Sequence, residues 1–126
     1  MPLRDYVATL QAFIAATPFV TATSFSYEER PPSAGLIKGN IVFADNSQLD
    51  FREFLIFQPT LQVIKYAYNY RKEDHLIFRY DNANDPAARN LSSFPVHKHV
   101  GSDILATEKP SFEFVLKEIV SHLKFP

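Results

Sequence analysis

Residues 37–59, IKGNIVFADNSQLDFREFLIFQP, carry the reading that decides the fold class. Ile37, Gly39, Ile41 and Phe43 alternate along one run, and Asp45-Asn46 reads as a tight hairpin turn. Leu49, Phe51, Phe54, Leu55, Ile56 and Phe57 lie on the next run, which Gln58-Pro59-Thr60 ends. A period of two marks strands, and a turn this short forces the two strands to be antiparallel. Working outward, Thr21, Thr23, Phe25 and Tyr27 make a strand stopped by Pro31-Pro32, because proline cannot donate to a ladder. Downstream, Ile64, Tyr66, Tyr68 and Tyr70 share one face of a fourth strand. The turn Arg71-Lys72-Glu73-Asp74 then leads into a fifth strand, His75 to Asp81.

At both ends the period changes. Leu3, Tyr6, Val7, Leu10, Phe13 and Ile14 follow the stripe of an amphipathic helix from Pro2 to Ala16, which Thr17-Pro18 terminates. Phe112, Val115, Leu116, Ile119, Val120 and Leu123 repeat it over about Ser111 to Lys124. From Asn82 to Lys109 no period holds, so this reads as a long loop, more often functional than idle. The expected fold is α+β: an antiparallel β-meander of five to six strands flanked by an N-terminal and a C-terminal helix packed on the sheet. One domain over residues 1–126 accommodates it.

Composition narrows the function classes. With 46% hydrophobic residues, twelve Phe and six Tyr, the chain can offset its ordering entropy, which excludes intrinsic disorder. Thirteen Lys and Arg against fourteen Asp and Glu leave no general basic excess, so any nucleic-acid contact needs a local patch. The absence of Cys excludes disulfides, thiolate metal sites and Cys nucleophiles. No apolar run is long enough to span a bilayer, which leaves no membrane partner expected. Asp5 cancels Arg4, and Thr9 and Gln11 interrupt the apolar stretch, so the first helix does not read as a leader. A cytoplasmic location is expected.

The chemistry-bearing side chains concentrate late. In Phe94-Pro95-Val96-His97-Lys98-His99-Val100 an extended backbone puts His97 and His99 on one face and Lys98 on the other. Two such imidazoles serve either as general acid and base or as two metal ligands. A surface loop in which both histidines are solvated or hydrogen-bonded to backbone accounts for the same pattern. A divalent metal at His97 and His99 is the weaker alternative. Asp81 and Asp103 are the third-ligand candidates by proximity, and neither sits at a spacing that specifies a known site.

In Arg79-Tyr80-Asp81-Asn82, alternation puts Arg79 and Asp81 on one side and Tyr80 on the other. They form either an Arg–Asp pair at a strand end, or an oxyanion-holding Arg79 with an Asp81 that orients a histidine. Tyr66, Tyr68 and Tyr70 beside Lys65, Arg71 and Lys72 suit stacked bases and neutralised phosphates, or ordinary cross-strand packing. Between Gln58 and Gly101 six Lys and Arg face four Asp and Glu, which permits an RNA-facing patch. His75 and His122 read as structural.

Together these segments resemble a known family. Gly35-Leu36-Ile37-Lys38-Gly39, Phe43 to Leu49 and Glu53 are similar to its opening motif. Tyr66-Ala67-Tyr68-Asn69-Tyr70 with Phe78-Arg79-Tyr80-Asp81-Asn82 resembles its central motif, and Phe94 to Val100 its F-P-H-H-K-H-V ending. The family is the TumE-type toxins of prokaryotic toxin–antitoxin modules, and the resemblance covers about residues 35–123. Two departures stand out. Many members carry a His pair where this chain has Asn84-Asp85, and many have His at Val96.

The resemblance implies a toxin role beside a helix-turn-helix-type antitoxin, with no established reaction. The expected activity is a metal-independent ribonuclease needing no cofactor, in which His97 and His99 share acid and base work. Lys98 or Arg79 would stabilise the phosphorane, Asp81 would orient an imidazole, and Tyr68, Tyr80 and Arg89 would contact substrate. The alternatives are a non-catalytic protein that occupies a partner surface and a metal-dependent hydrolase.

Overall fold

The computed structural model describes residues 2–123. Helix α1 (Pro2–Ala16) is followed by strands β1 (Val20–Arg30), β2 (Ala34–Phe43), β3 (Ser47–Ile56), β4 (Gln62–Lys72) and β5 (His75–Asp81). A 3-10 turn (Pro86–Ala88), strands β6 (His97–Val100) and β7 (Asp103–Leu105) and helix α2 (Phe112–His122) complete the order. All seven strands form one antiparallel sheet in sequence order. The α+β meander with two packed helices is therefore present, with seven strands in place of five to six. The two extra strands lie inside the segment read as a long loop. At four and three residues they are too short for a period to emerge, and β5 supplies the pairing that makes β6 a strand. Lys124 of the expected second helix lies outside the described residues.

Turn chemistry sets the register. Asn46 takes a positive φ of 67°, and its N–H closes on the Phe43 carbonyl at 2.9 Å. Asp45 accepts from the Ser47 N–H at 3.0 Å, which pins β2 on β3. Glu73, at φ 55°, turns β4 into β5 in the same left-handed region. Helix α2 begins at Ser111, whose hydroxyl accepts from the Phe114 N–H at 3.1 Å.

One face of the sheet is covered by both helices. Leu3, Val7, Leu10 and Ile14 of α1 and Phe112, Val115, Leu116 and Ile119 of α2 share a single core with Ile37, Ile41, Leu49, Phe51, Leu55, Tyr66, Tyr68, Tyr70, Phe78 and Tyr80. The Phe112 ring lies 4.9 Å from Phe51 and 6.4 Å from Tyr68, tying α2 to the middle of the sheet. Gly39 is required there, since a Cβ would overlap the Phe51 ring. Ile64 departs from its expected face. The β3–β4 ladder slips between Phe54 and Leu55, leaving Ile64 as the extra residue, 37% exposed. Among the described residues no helix is long and apolar enough to cross a membrane.

The opposite face has no helix. Across it run two cross-strand rows: Ser26, Lys38, Arg52, Ala67, Asp81 and His97, then Ser24, Asn40, Asp50, Asn69, Arg79 and His99.

Candidate functional site

The ends of those rows bring Asp81, His97, Arg79 and His99 together, because β5 and β6 pair Asp81 with His97 and Arg79 with His99. His97 is completely buried and Asp81 is 4% exposed. The chain on either side closes over them. The Ala83 N–H donates to Asp81 Oδ1 at 2.9 Å, and His97 Nδ1 donates to the Pro95 carbonyl at 2.7 Å. Arg79 Nε donates to Asp81 Oδ2 at 2.7 Å, with the Arg79 side chain 39% exposed. His97 Nε2 lies 3.0 Å from Asp81 Oδ1, and His99 Nε2 lies 3.8 Å from Asp81 Oδ2. The two imidazole rings meet edge to face at 4.9 Å. His99, 23% exposed at its side chain, and Arg79 are the members that reach solvent.

The proton arrangement of His97 is constrained. A carbonyl only accepts, so Nδ1 carries the proton, and a neutral ring then presents a bare Nε2. Although Nε2 is 3.0 Å from a carboxylate oxygen, the direction is wrong for a hydrogen bond and the atom has no hydrogen-bond partner among the described residues. The short separation is therefore proximity without alignment.

Next to the cluster lies a groove of about 800 Å³, lined by Arg30, Arg52, Lys65, Arg79, Asp81 and Asn84, with Phe54 and Leu36 in its wall. Arg52 and Lys65 are exposed and have no acidic partner among the described residues, and exposed Lys38 pairs with Arg52 on the next strand. Arg30 lies 3.7 Å from Glu28. The small Ala67 separates Arg52 from Asp81, keeping the floor between them low.

Other sequence candidates sit elsewhere. Lys98 faces the helices: its ammonium donates to Glu118 Oε2 at 2.6 Å and stands 4.9 Å from the Tyr80 ring centroid. Burial opposes its charge, but hydrogen bonds to Glu118 and Tyr80 outweigh it and hold its pKa above the ordinary lysine value. Tyr80, 3% exposed, donates to Glu118 Oε1 at 2.5 Å on the same side. Tyr66, Tyr68 and Tyr70 are under the helices at 4%, 2% and 0% exposure, so the cross-strand packing alternative holds and base stacking on this stripe is excluded. Arg89 is exposed at the end of the 3-10 turn, away from the groove lining. Asp103 is exposed on β7 and pairs with Val100, outside the cluster. Asp85 caps the 3-10 turn by accepting from the Ala87 N–H at 2.9 Å.

One buried acid was not singled out for chemistry. Glu53 is fully buried on the helix side and accepts from Tyr6 at 2.6 Å and from Tyr68. Burial raises its pKa, against the pull of the two phenols and Lys109. Strict alternation of Leu49, Phe51, Glu53 and Leu55 was the available signal. Neighbouring Tyr66, whose Oη has no hydrogen-bond partner among the described residues, is pushed up to about 12, first by burial and then by Asp81.

No curated protein and no solved structure matches the chain. The family described as Toxin TumE matches residues 10–124, a span that includes the second half of α1, all seven strands, α2 and the Asp81–His97–His99 cluster. The chain belongs to the Toxin TumE family.

Proposed function

We propose that the chain is the toxin of a two-protein module with a helix-turn-helix-type antitoxin, and that it cleaves RNA on the helix-free face of its sheet. The observation that carries this reading is the Asp81–His97–His99–Arg79 cluster at the end of a groove bearing unpaired cations. Phosphates of a single strand run along Arg52 and Lys65, and the scissile phosphate sits at the open side of the cluster beside Arg79 and His99. Arg79, fixed by Asp81, stabilises charge on the phosphorane. Attack by the RNA's own 2′-hydroxyl gives a 2′,3′-cyclic phosphate and a 5′-hydroxyl, the proton lost by the nucleophile being matched by one taken up by the leaving oxygen.

The sequence expectation placed both imidazoles on substrate. Complete burial of His97 moves it behind His99, as a positioning residue. Lys98, bound to Glu118 on the far face, leaves the mechanism, as do Tyr68 and Tyr80.

The test is incubation of purified protein with a short single-stranded RNA and the DNA of matching sequence. RNA cleavage with a cyclic phosphate end, intact DNA, and a roughly hundredfold or greater loss in His99→Ala are expected. Growth arrest on induced expression with RNA intact would refute the reading and mark a protein that acts by occupying a partner surface.

A further inference from the structure

We propose that Asp81, His97 and His99 form a binding site for one divalent transition-metal ion, of the zinc, cobalt or manganese class. The proposal deepens the RNA-cleaving reading and rests on it for what the ion does, while the binding itself stands on geometry alone.

Each of the three residues offers one ligand atom, and all three atoms lie within 4.8 Å of one another. For metal–ligand bonds of about 2.0–2.1 Å, tetrahedral ligands stand roughly 3.3–3.4 Å apart. His97 Nε2 stands 3.0 Å from Asp81 Oδ1 and His99 Nε2 stands 3.8 Å from Asp81 Oδ2, so each imidazole approaches a different oxygen of the carboxylate at close to that separation. Two imidazoles and one carboxylate suit first-row divalent ions, and three protein ligands leave at least one coordination position for water or substrate.

The independent observation is His97. Its Nδ1–H is committed to the Pro95 carbonyl, the usual way a backbone oxygen fixes a ligating histidine's tautomer. The Nε2 lone pair of a fully buried ring is then set beside a carboxylate oxygen, and two acceptors in contact repel. A cation between them removes the conflict. A proton on Nε2 is the rival, yet it satisfies the ring only if its N–H points at Oδ1, and that alignment is missing. An ion needs no such line and also engages His99.

Asp81 is prepared for the role. The Ala83 N–H takes one lone pair of Oδ1, and Arg79 holds Oδ2 at 2.7 Å. Arg79 also adds positive charge beside the ion, so it limits affinity while orienting the carboxylate. In the reaction the ion would draw a phosphate oxygen into an open position, and a hydroxide on a second position would accept the 2′-hydroxyl proton and become water, which would return a proton to the leaving 5′ oxygen as the P–O bond breaks.

Chelator-treated protein titrated with Co²⁺ and, separately, Zn²⁺ tests this by calorimetry and visible absorption. One ion per chain, with d–d bands for cobalt, is expected. His99→Ala and Asp81→Asn, each checked for an unchanged circular dichroism spectrum, should weaken binding at least roughly tenfold. Failure of folded wild type to bind either ion overturns the proposal, as does undiminished binding by both ligand variants. If the ion binds and RNA stays intact, the site stands and the ribonuclease reading falls. If RNA is cut equally before and after chelation, the ion's part in the reaction is overturned.

Discussion

Removing the cations of the groove should change how RNA binding responds to salt by a calculable amount. Lys38, Arg52 and Lys65 are the exposed cations of this face without an acidic partner among the described residues; Arg79 shares its charge with Asp81, and Arg30 with Glu28. Each phosphate neutralised on a single strand contributes a slope of about −0.7 to log K against log salt. Three cations give a slope near −2, so raising salt from about 50 to about 200 mM weakens binding roughly 20-fold. In Arg52→Gln/Lys65→Gln one cation remains, the slope falls to about −0.7, and the same salt change costs only about threefold. Lys117→Gln, on the exposed face of α2, should leave the slope untouched. The assay is fluorescence anisotropy with a labelled, non-cleavable RNA analogue at several salt concentrations. An unchanged slope in the double variant, or an equal drop in Lys117→Gln, would show that RNA does not lie on this face.

Three further outcomes separate structural from functional residues. Lys98→Gln should leave RNA cleavage intact and cost about 1–3 kcal/mol of stability by urea unfolding, because it breaks a part-buried charged hydrogen bond to Glu118; lost cleavage in a folded variant would return Lys98 to the mechanism. Glu53 has a raised pKa in the folded state, so its contribution is most favourable below the ordinary value of 4.5 and is lost as pH rises through the raised one. Glu53→Gln keeps an acceptor for Tyr6 and Tyr68, so its stability relative to wild type should rise with pH across that window, and a flat difference contradicts the burial argument. Phe112→Ala should cost about 3–5 kcal/mol, since the ring fills the space between Phe51 and Tyr68; a loss under about 1 kcal/mol in thermal or urea unfolding would mean that α2 is not docked as described.

The helices and first five strands were legible because each is long enough for its own period to appear, and because Asp45-Asn46 and the turn at Glu73-Asp74 carry their own geometry. Strand β6 was legible in its alternation but not in its existence. His97, Lys98 and His99 become a strand only by pairing with Arg79, Tyr80 and Asp81, a tertiary event. Alternation put Arg79 with Asp81 and His97 with His99, yet it carries no information about whether the two pairs share a face or which face the helices take. That choice put the tyrosine stripe inside and left Arg52 and Lys65 outside. The partner of Lys98 was not legible for a related reason, since Glu118 is twenty residues away on a different element. Alternation along β6 also gives no measure of burial, and His97 is completely buried while the His99 side chain reaches solvent.

The strict sequence order of the sheet also has a meaning in time. Chains are made from the N-terminus at about 5–20 residues per second. Every strand of this meander pairs with the one just synthesised, so β1 to β4 can assemble as they emerge. The four cluster residues follow after Lys72, and His99 trails it by roughly one to five seconds at that rate. A product cut short before residue 97 carries more than half of the sheet and an incomplete cluster. Translation that stalls or aborts before residue 97 therefore releases fragments that carry at most β1 to β5 and lack both His97 and His99.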